Sequence, residues 1–452
     1  MHYLFMVGAT RGPRRPIPVA ATLMAFAVSV HLLPGLAQGT APLSVFEAMT
    51  LAERNAPALE ARKFAVDSSE AMAESARALP DPRLRIGLDN WPIESADKFS
   101  TGRDFMTMQR IGVSRDMPRE EKRELRSARF GIESRREAAM LDDARLMVRR
   151  DAALAWVERS YAEAAARLID DLKREARTQY EVLIGQVRAG RAAPIDALTA
   201  QSQLRVLDDR SAEFARQGAR ALAQLERWLG DAAGRPLDVW RPGDAKVDPV
   251  GLANPQHPQH PLHPQHPLHP QHPLHPHLAA FAQAEAQADN EIAQAKAQEK
   301  GDWGWEVAYQ KRGRQFTDMV SFGIVIDLPA FGEKRIAPEV RARQAQRDAA
   351  ARNREDAQRQ HALDVKLALT DWNAANARRA TFDDALLPLA QERVDQAMAT
   401  YKSGAGKLAE VLEARRQWLE VRLAQLQLEQ DAARAWAQIQ YFSHTQHAPE
   451  AK

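Results

Sequence analysis

The chain has 452 residues, with 62 Lys and Arg against 60 Asp and Glu, a net charge of +2, and no cysteine. That length can bury one or two sizeable cores, and the near-neutral balance argues against a nucleic-acid binder, which carries a basic face. The missing cysteine excludes disulfides, thiolate metal sites, a thiol nucleophile and a lipid carried on an N-terminal cysteine, and a mean hydropathy of −0.48 excludes a bundle of membrane-spanning helices.

Arg11, Arg14 and Arg15 precede an apolar stretch from Val19 to Leu33, and Gly35-Leu36-Ala37 then offers small residues. This is the order of a secretory signal, assigned to residues 1–37. The apolar run is short for a spanning helix and Pro34 closes it, so export with cleavage is expected rather than an uncleaved anchor. A first structural repeat, 38–250, follows. Leu43 to Leu79 reads as helix. Leu84, Ile86 and Leu88 then alternate with Arg85, Gly87 and Asp89, and a second strand is expected from Phe105 to about Arg115, stopped by Pro118. From Arg119 to Gln186 there is no proline and little glycine, which predicts a helix of about 100 Å. Ala189-Gly190 breaks it, and Pro194 restarts a helix to about Leu229.

A His- and Pro-rich linker, 251–277, separates this unit from a second, 278–442, in which the same order recurs. A helix from Leu278 to Lys300 leads to the alternating Trp303, Trp305, Val307 and Tyr309, then to Val320, Phe322, Ile324, Ile326 and Leu328. Pro329 stops the last strand, a long charged helix follows, and a break at Gly404 precedes a helix to about Phe442. Pro118 and Pro329 lie 211 positions apart, and Gly190 and Gly404 lie 214 apart. The chain is therefore an internal duplication. Residues 443–452 read as a disordered tail, in which His444 and His447 carry no site.

Four strands with one apolar face suit tilted transmembrane β-strands of about 9–11 residues, with Trp91, Trp303, Trp305 and Tyr309 as interfacial aromatics. Four strands cannot close a barrel, and lipid tolerates no open edge, so several chains must pool them. The competing arrangement is an ordinary small sheet beside a helical domain. The long Ala-rich helices, with dense Arg, Glu, Asp and Gln, permit close packing and could form a hollow cylinder.

The residues Leu43-Ser44-Val45-Phe46-Glu47-Ala48, Asn55-Ala56-Pro57-Ala58-Leu59, Ile111-Gly112-Val113, Phe322-Gly323-Ile324 and Tyr401-Lys402-Ser403-Gly404 followed by Glu410-Val411-Leu412-Glu413-Ala414 resemble the TolC-type outer-membrane efflux family. The resemblance implies a mainly α fold, with long helical hairpins building a periplasmic α-barrel and four strands per chain pooled into a twelve-stranded barrel in a homotrimer. It further implies a passive exit duct in the outer-membrane lipid, joined through a periplasmic adaptor to an inner-membrane pump of the RND type. Asp81-Pro82-Arg83, Asp89-Asn90-Trp91-Pro92 and Pro118-Arg119-Glu120-Glu121-Lys122-Arg123 look closer to the heavy-metal (cobalt–zinc–cadmium and copper–silver) branch than to the drug-exporting one. A soluble periplasmic coiled-coil or metal-sequestering protein is the alternative of a different class. No cofactor is expected.

In the family the periplasmic tip closes like an iris. Asp196, Glu410 and Glu413 match its acidic positions and Tyr401 a latching tyrosine, whereas the latching arginine is replaced by Gly406, with Lys407 next to it. Copies of each carboxylate around an axis would attract cations and repel one another. The turns at Gly190 and Gly404 resemble the tips that meet the adaptor.

In the linker, His257, His260, His263, His266, His269, His272 and His275 recur every third residue. With proline at the same period the segment should form polyproline II, aligning these side chains on one face but about 9 Å apart. Zn–N bonds of about 2.0–2.1 Å do not let neighbours share an ion without bending the chain, so they are weak metal candidates and an expanded linker is the plainer reading. His361, on a charged helix, and the pairs Asp142-Asp143 and Asp170-Asp171 read as solvated. The sequence holds no HExxH, GxSxG, phosphate loop or GxGxxG, and no enzyme is expected.

Overall fold

The computed structural model describes residues 41–94, 96–241, 274–328 and 332–443. The signal segment, the linker histidines from His257 to His272, Pro329 and the tail with His444 and His447 lie outside the described residues. Among the described residues no helix is long and apolar enough to cross a membrane.

Helix α1, Val45–Asn55, starts where the Ser44 hydroxyl accepts from the Glu47 N–H at 3.1 Å. Helix α2 spans Pro57–Arg77. The expected single helical tract is thus two, because a residue preceding proline is driven out of the helical region and Ala56 is extended. Strands β1, Arg83–Asp89, and β2, Met108–Met117, form a hairpin. Helix α3 then runs from Glu120 to Arg188, 69 residues or about 100 Å, and α4, Pro194–Leu229, returns beside it.

The second half repeats the plan. Helix α5, Pro276–Ala297, starts two residues before the predicted unit boundary. Strands β3, Trp303–Lys311, and β4, Met319–Ile326, form the second hairpin. Helix α6, Gly332–Thr381, continues through a π-turn at Phe382–Leu386 into α7, Leu387–Lys402, and α8 is Leu408–Phe442. The sequence offset between halves grows from 211 to 214 along this arm, and a π-turn is a means of absorbing extra residues without breaking a helix.

All four strands form one antiparallel sheet in the order β1-β2-β3-β4. The core lies along the helices away from the sheet, where α1 packs against the middle of α3 and the end of α8. Leu43, Val45, Trp156, Val157 and Leu225 are completely buried there, and Trp436 nearly so. The Trp156 indole N–H donates to the Leu43 carbonyl at 2.9 Å, and Trp240 packs between Trp156, which it meets edge-on, and Trp436.

Two residues expected to be solvated are buried. His361 packs its ring on His275 and Phe442, because the face of α6 that carries it lies against α5 and α8. Asp143 accepts from the Tyr441 hydroxyl at 2.8 Å and faces the His277 ring at 3.4 Å. Asp170 and Asp171 remain on the surface as expected. Burial, reinforced by His277, lowers the pKa of His361, against the opposing pull of Asp364 and Asp143. The unfolded chain therefore takes up this proton first. The contribution is present above about pH 6.5 and is lost as the pH falls through the lower, folded value. The thermal midpoint is expected to fall between pH 7 and 5, and His361→Phe should flatten that dependence; an equally steep fall in the variant would assign it to other groups.

Candidate functional site

The sheet inverts the usual arrangement of a soluble protein. Register places Leu84 and Ile86 opposite Val113 and Ile111, these opposite Val307 and Tyr309, and these opposite Phe322 and Val320. All therefore share one face, together with Trp303, Trp305, Ile324 and Ile326. That face is bare: Phe322 is 80% exposed, Ile86 72% and Ile324 71%. The opposite face carries the charges. Arg110 from β2 bridges Asp89 on β1, at 3.4 Å, and Glu306 on β3, while Arg83 meets Asp116 at 2.6 Å. Small residues keep that face low; at Gly112 a Cβ would stand 3.0 Å from the Cβ of Ala308. A sheet that shows its apolar side outward and pairs its charges within suits the wall of a membrane barrel with a polar interior. Trp303 and Tyr309 lie near opposite ends of β3 on the apolar face, and Trp91, in the loop beyond β1, packs on Phe99.

At the far end of the long helices the two halves end in matching turns. Gly190 has φ +68° and Gly404 φ +79°, a region that side-chain-bearing residues rarely adopt. Gly190 N–H donates to Val187 C=O and Arg191 N–H to Gln186 C=O; Gly404 donates to Tyr401 and Ala405 to Thr400 in the same pattern. Each is a Schellman cap. New helices begin four positions after Gly190 and Gly404, and Asp196 and Glu410 occupy equivalent places in their first turns, where the helix dipole favours a carboxylate. A small core joins the tips: Leu183, Ala197 and Ala200 from the first half pack with Leu412 from the second.

Tyr401 is brought to the first half, where its hydroxyl accepts from the Gln186 side-chain amide at 3.2 Å. Glu413 is held by Arg416 at 2.6 and 2.9 Å and by Gln417 at 2.7 Å, and these hydrogen bonds pull its pKa down to about 2. It therefore stays charged under all physiological conditions. Glu410 is exposed. Gly406 sits against Thr400, whose Cγ2 would lie 3.0 Å from an added Cβ, so the turn itself disfavours an arginine there. Lys407 is exposed and makes no ion pair among the described residues.

Sequence reasoning missed Gln186 and Arg416. Arg416 was legible as the i+3 partner of Glu413 on one helix. Gln186 was visible only as the residue equivalent to Thr400 in the duplication, with nothing to indicate that it would meet Tyr401. His275 is buried; its ring accepts from the His277 N–H at 3.3 Å and bonds the Tyr441 carbonyl at 3.0 Å, capping α5. Among the described residues no group of three or more His, Asp or Glu side chains is placed to hold a metal.

Residues 274–441 match the outer membrane efflux protein family. The whole described architecture is similar to solved channels. CusC superposes with a TM-score of 0.71 at 15% identity, over 91% of this chain and 94% of that one. The Campylobacter jejuni CmeC outer membrane channel gives 0.71 at 13%, over 88% and 85%, and the outer membrane protein VceC of Vibrio cholerae 0.68 at 16%, over 87% and 94%. Curated protein sequences give no match. The fold is that of the outer-membrane efflux channels: mainly helical, with a four-stranded antiparallel sheet in each chain.

Proposed function

We propose that this protein is an outer-membrane exit duct of a tripartite efflux system, passive and trimeric, with its helices extending into the periplasm. The observation that carries this is the exposed apolar face of the sheet around Ile86, Phe322 and Ile324, set against a paired-charge face on the other side. In lipid the free edges of β1 and β4 must find partners, and copies of the same sheet supply them. The helices support the same closure. Contacts run in the order α4–α3–α8–α6/α7, so α4 and the α6/α7 arm are the outer edges of the row, and both carry bare apolar residues: Ile195 and Leu198 on one, Leu363, Leu367 and Leu389 on the other. A ring of copies covers them.

The tip is the gate in this reading, with Asp196, Glu410 and Glu413 lining it and Tyr401, through Gln186, holding the halves together. The turns at Gly190 and Gly404 are the places where a periplasmic adaptor would dock, linking the duct to an inner-membrane RND-type pump. The cargo is proposed to be heavy-metal cations. Carboxylates repeated around an axis concentrate negative potential and favour cations, and the strand-end sequences Asp81-Pro82-Arg83 and Asp89-Asn90-Trp91-Pro92 support the metal branch.

Fractionation tests the duct itself: a heat-sensitive trimer in the outer membrane is expected, whereas release as a soluble periplasmic protein rejects it. In planar bilayers, Glu410→Ala combined with Glu413→Ala is expected to lower the cation-over-anion permeability ratio by about fivefold, since each copy loses two fixed charges beside the path. Unchanged selectivity removes these residues from the gate. Deleting the chromosomal copy in the native host tests the cargo: hypersensitivity to particular metals with their accumulation in cells is expected, and sensitivity only to hydrophobic drugs overturns the metal reading while leaving the duct.

A further inference from the structure

About one third of the way from the tip towards the core, α3, α4 and α8 enclose a cavity of about 330 Å³. That size lies within the range of small-molecule sites. Its walls come from one face of each helix, at the ordinary i, i+3, i+4 helical spacing, and Leu172, Ala176, Val206 and Leu419 make it largely apolar. Helix α3 packs against both neighbours, whereas α4 and α8 meet only sparsely, which leaves the space open between them.

The polar groups in this cavity are unusual. The Gln179 side-chain carbonyl and the Arg415 Nε are both buried and have no hydrogen-bond partner among the described residues. Arg415 spends another of its donors on Glu175, so the side chain is anchored and its Nε is held in place. Arg416 in the α8 wall is likewise taken up, by Glu413 and by Glu420, which also lines the cavity, whereas Arg210 from the α4 wall adds a guanidinium that makes no ion pair among the described residues. Buried polar atoms in folded proteins are nearly always satisfied, and those that are not call for a missing partner. A single ligand that satisfied both atoms would accept from one arginine beside another, donate to an amide carbonyl, and fill an apolar space.

We propose that the cavity between α3, α4 and α8 is a binding site for an amphipathic organic anion that carries one hydrogen-bond donor. The anionic group sits against Arg415 Nε and Arg210, the donor reaches Gln179, and the apolar body lies along Ala176 and Val206. Because Leu412 belongs both to this cavity and to the small core joining the tips, an occupant ties α8 to the α3–α4 hairpin next to the turns. Binding itself does not depend on the duct reading, so the two can fail separately.

The test uses the full-length protein, in lipid nanodiscs if it is recovered from the membrane and in buffer if it is recovered soluble, and the fluorescent probe 8-anilinonaphthalene-1-sulfonate, whose sulfonate, anilino N–H and ring system provide the three features. Empty nanodiscs supply the background. Saturable binding at one probe per chain is expected. The uncharged analogue N-phenyl-1-naphthylamine keeps the N–H and the rings but lacks the sulfonate, and it should bind at least about tenfold more weakly, as should the probe with Arg210→Gln or Arg415→Gln, because a hydrogen bond to a charged group is lost. Ala176→Trp fills the space and should abolish the saturable component. Equal binding of the neutral analogue overturns the proposal with no mutation required. So does saturable binding that survives both Arg210→Gln and Ala176→Trp in proteins with unchanged circular dichroism.

Discussion

Phe322→Arg is expected to abolish assembly in the outer membrane, with the chain recovered as aggregate or degraded in the periplasm. The side chain is 80% exposed at mid-strand in β4, directly opposite Val307 and on the same face as Ile86 and Ile324. In the proposed duct that face meets lipid rather than water. An arginine on the lipid-facing side of a barrel costs about 2–4 kcal/mol at the midplane, and in the proposed ring every copy would carry the same change. Val325 is the matched control. It is similarly exposed at 64%, three residues along the same strand, but its side chain points to the opposite, charged face, where it lies across from Gly304. Val325→Lys should assemble normally. Heat-modifiable mobility of the membrane fraction reads both results. Equal tolerance of both substitutions, or equal loss, would mean that the two faces are not lipid and lumen.

The second large effect is placed in the helical core. Trp156→Ala is expected to destabilise the protein by about 3–5 kcal/mol. Trp156 is completely buried; its ring meets Trp240 edge-on at 6.3 Å, and its indole N–H reaches the Leu43 carbonyl at 2.9 Å. That bond helps tie the segment ahead of α1 to α3, 113 residues away. Trp156→Phe separates the terms. It keeps most of the packing and loses the hydrogen bond, but the Leu43 carbonyl also accepts from the Asp238 N–H at 3.1 Å, so no buried acceptor is orphaned and the cost should be nearer 1 kcal/mol. Thermal unfolding followed by circular dichroism, with limited proteolysis to report release of α1, distinguishes the two. Equal midpoints for Trp156→Ala and the native protein would show that α1 is not anchored there.

Much of this architecture was written locally. Leu84-Arg85-Ile86-Gly87-Leu88 alternates and Phe322, Ile324 and Ile326 recur at every second position, which predicts strands with an apolar face, and the long proline-free run from Arg119 to Gln186 predicts a long helix, since those patterns follow from side-chain geometry along the backbone. The turns were equally legible. Gly190 and Gly404 stand at matching places in the duplication because each helix ends in a left-handed residue, and Asp196 and Glu410 follow at matching distances. The break between α1 and α2 is legible too, in Pro57, which drives Ala56 out of the helical region.

What the sequence by itself determined is therefore the set of elements, their order, the duplication and the sidedness of every strand. Tertiary structure decided what those elements do to distant side chains. His361 and Asp143, charged-looking positions on long polar helices, became buried because α5 and α8 cover those faces, and no helical period announces which neighbour will arrive. Gln186 met Tyr401, 215 positions away, and Arg110 gathered Asp89 and Glu306 from strands on both sides. The cavity between α3, α4 and α8 exists only because two helices that share a neighbour stand apart from each other. Periodicity fixes which way a side chain points along its own element; only packing fixes what it points at.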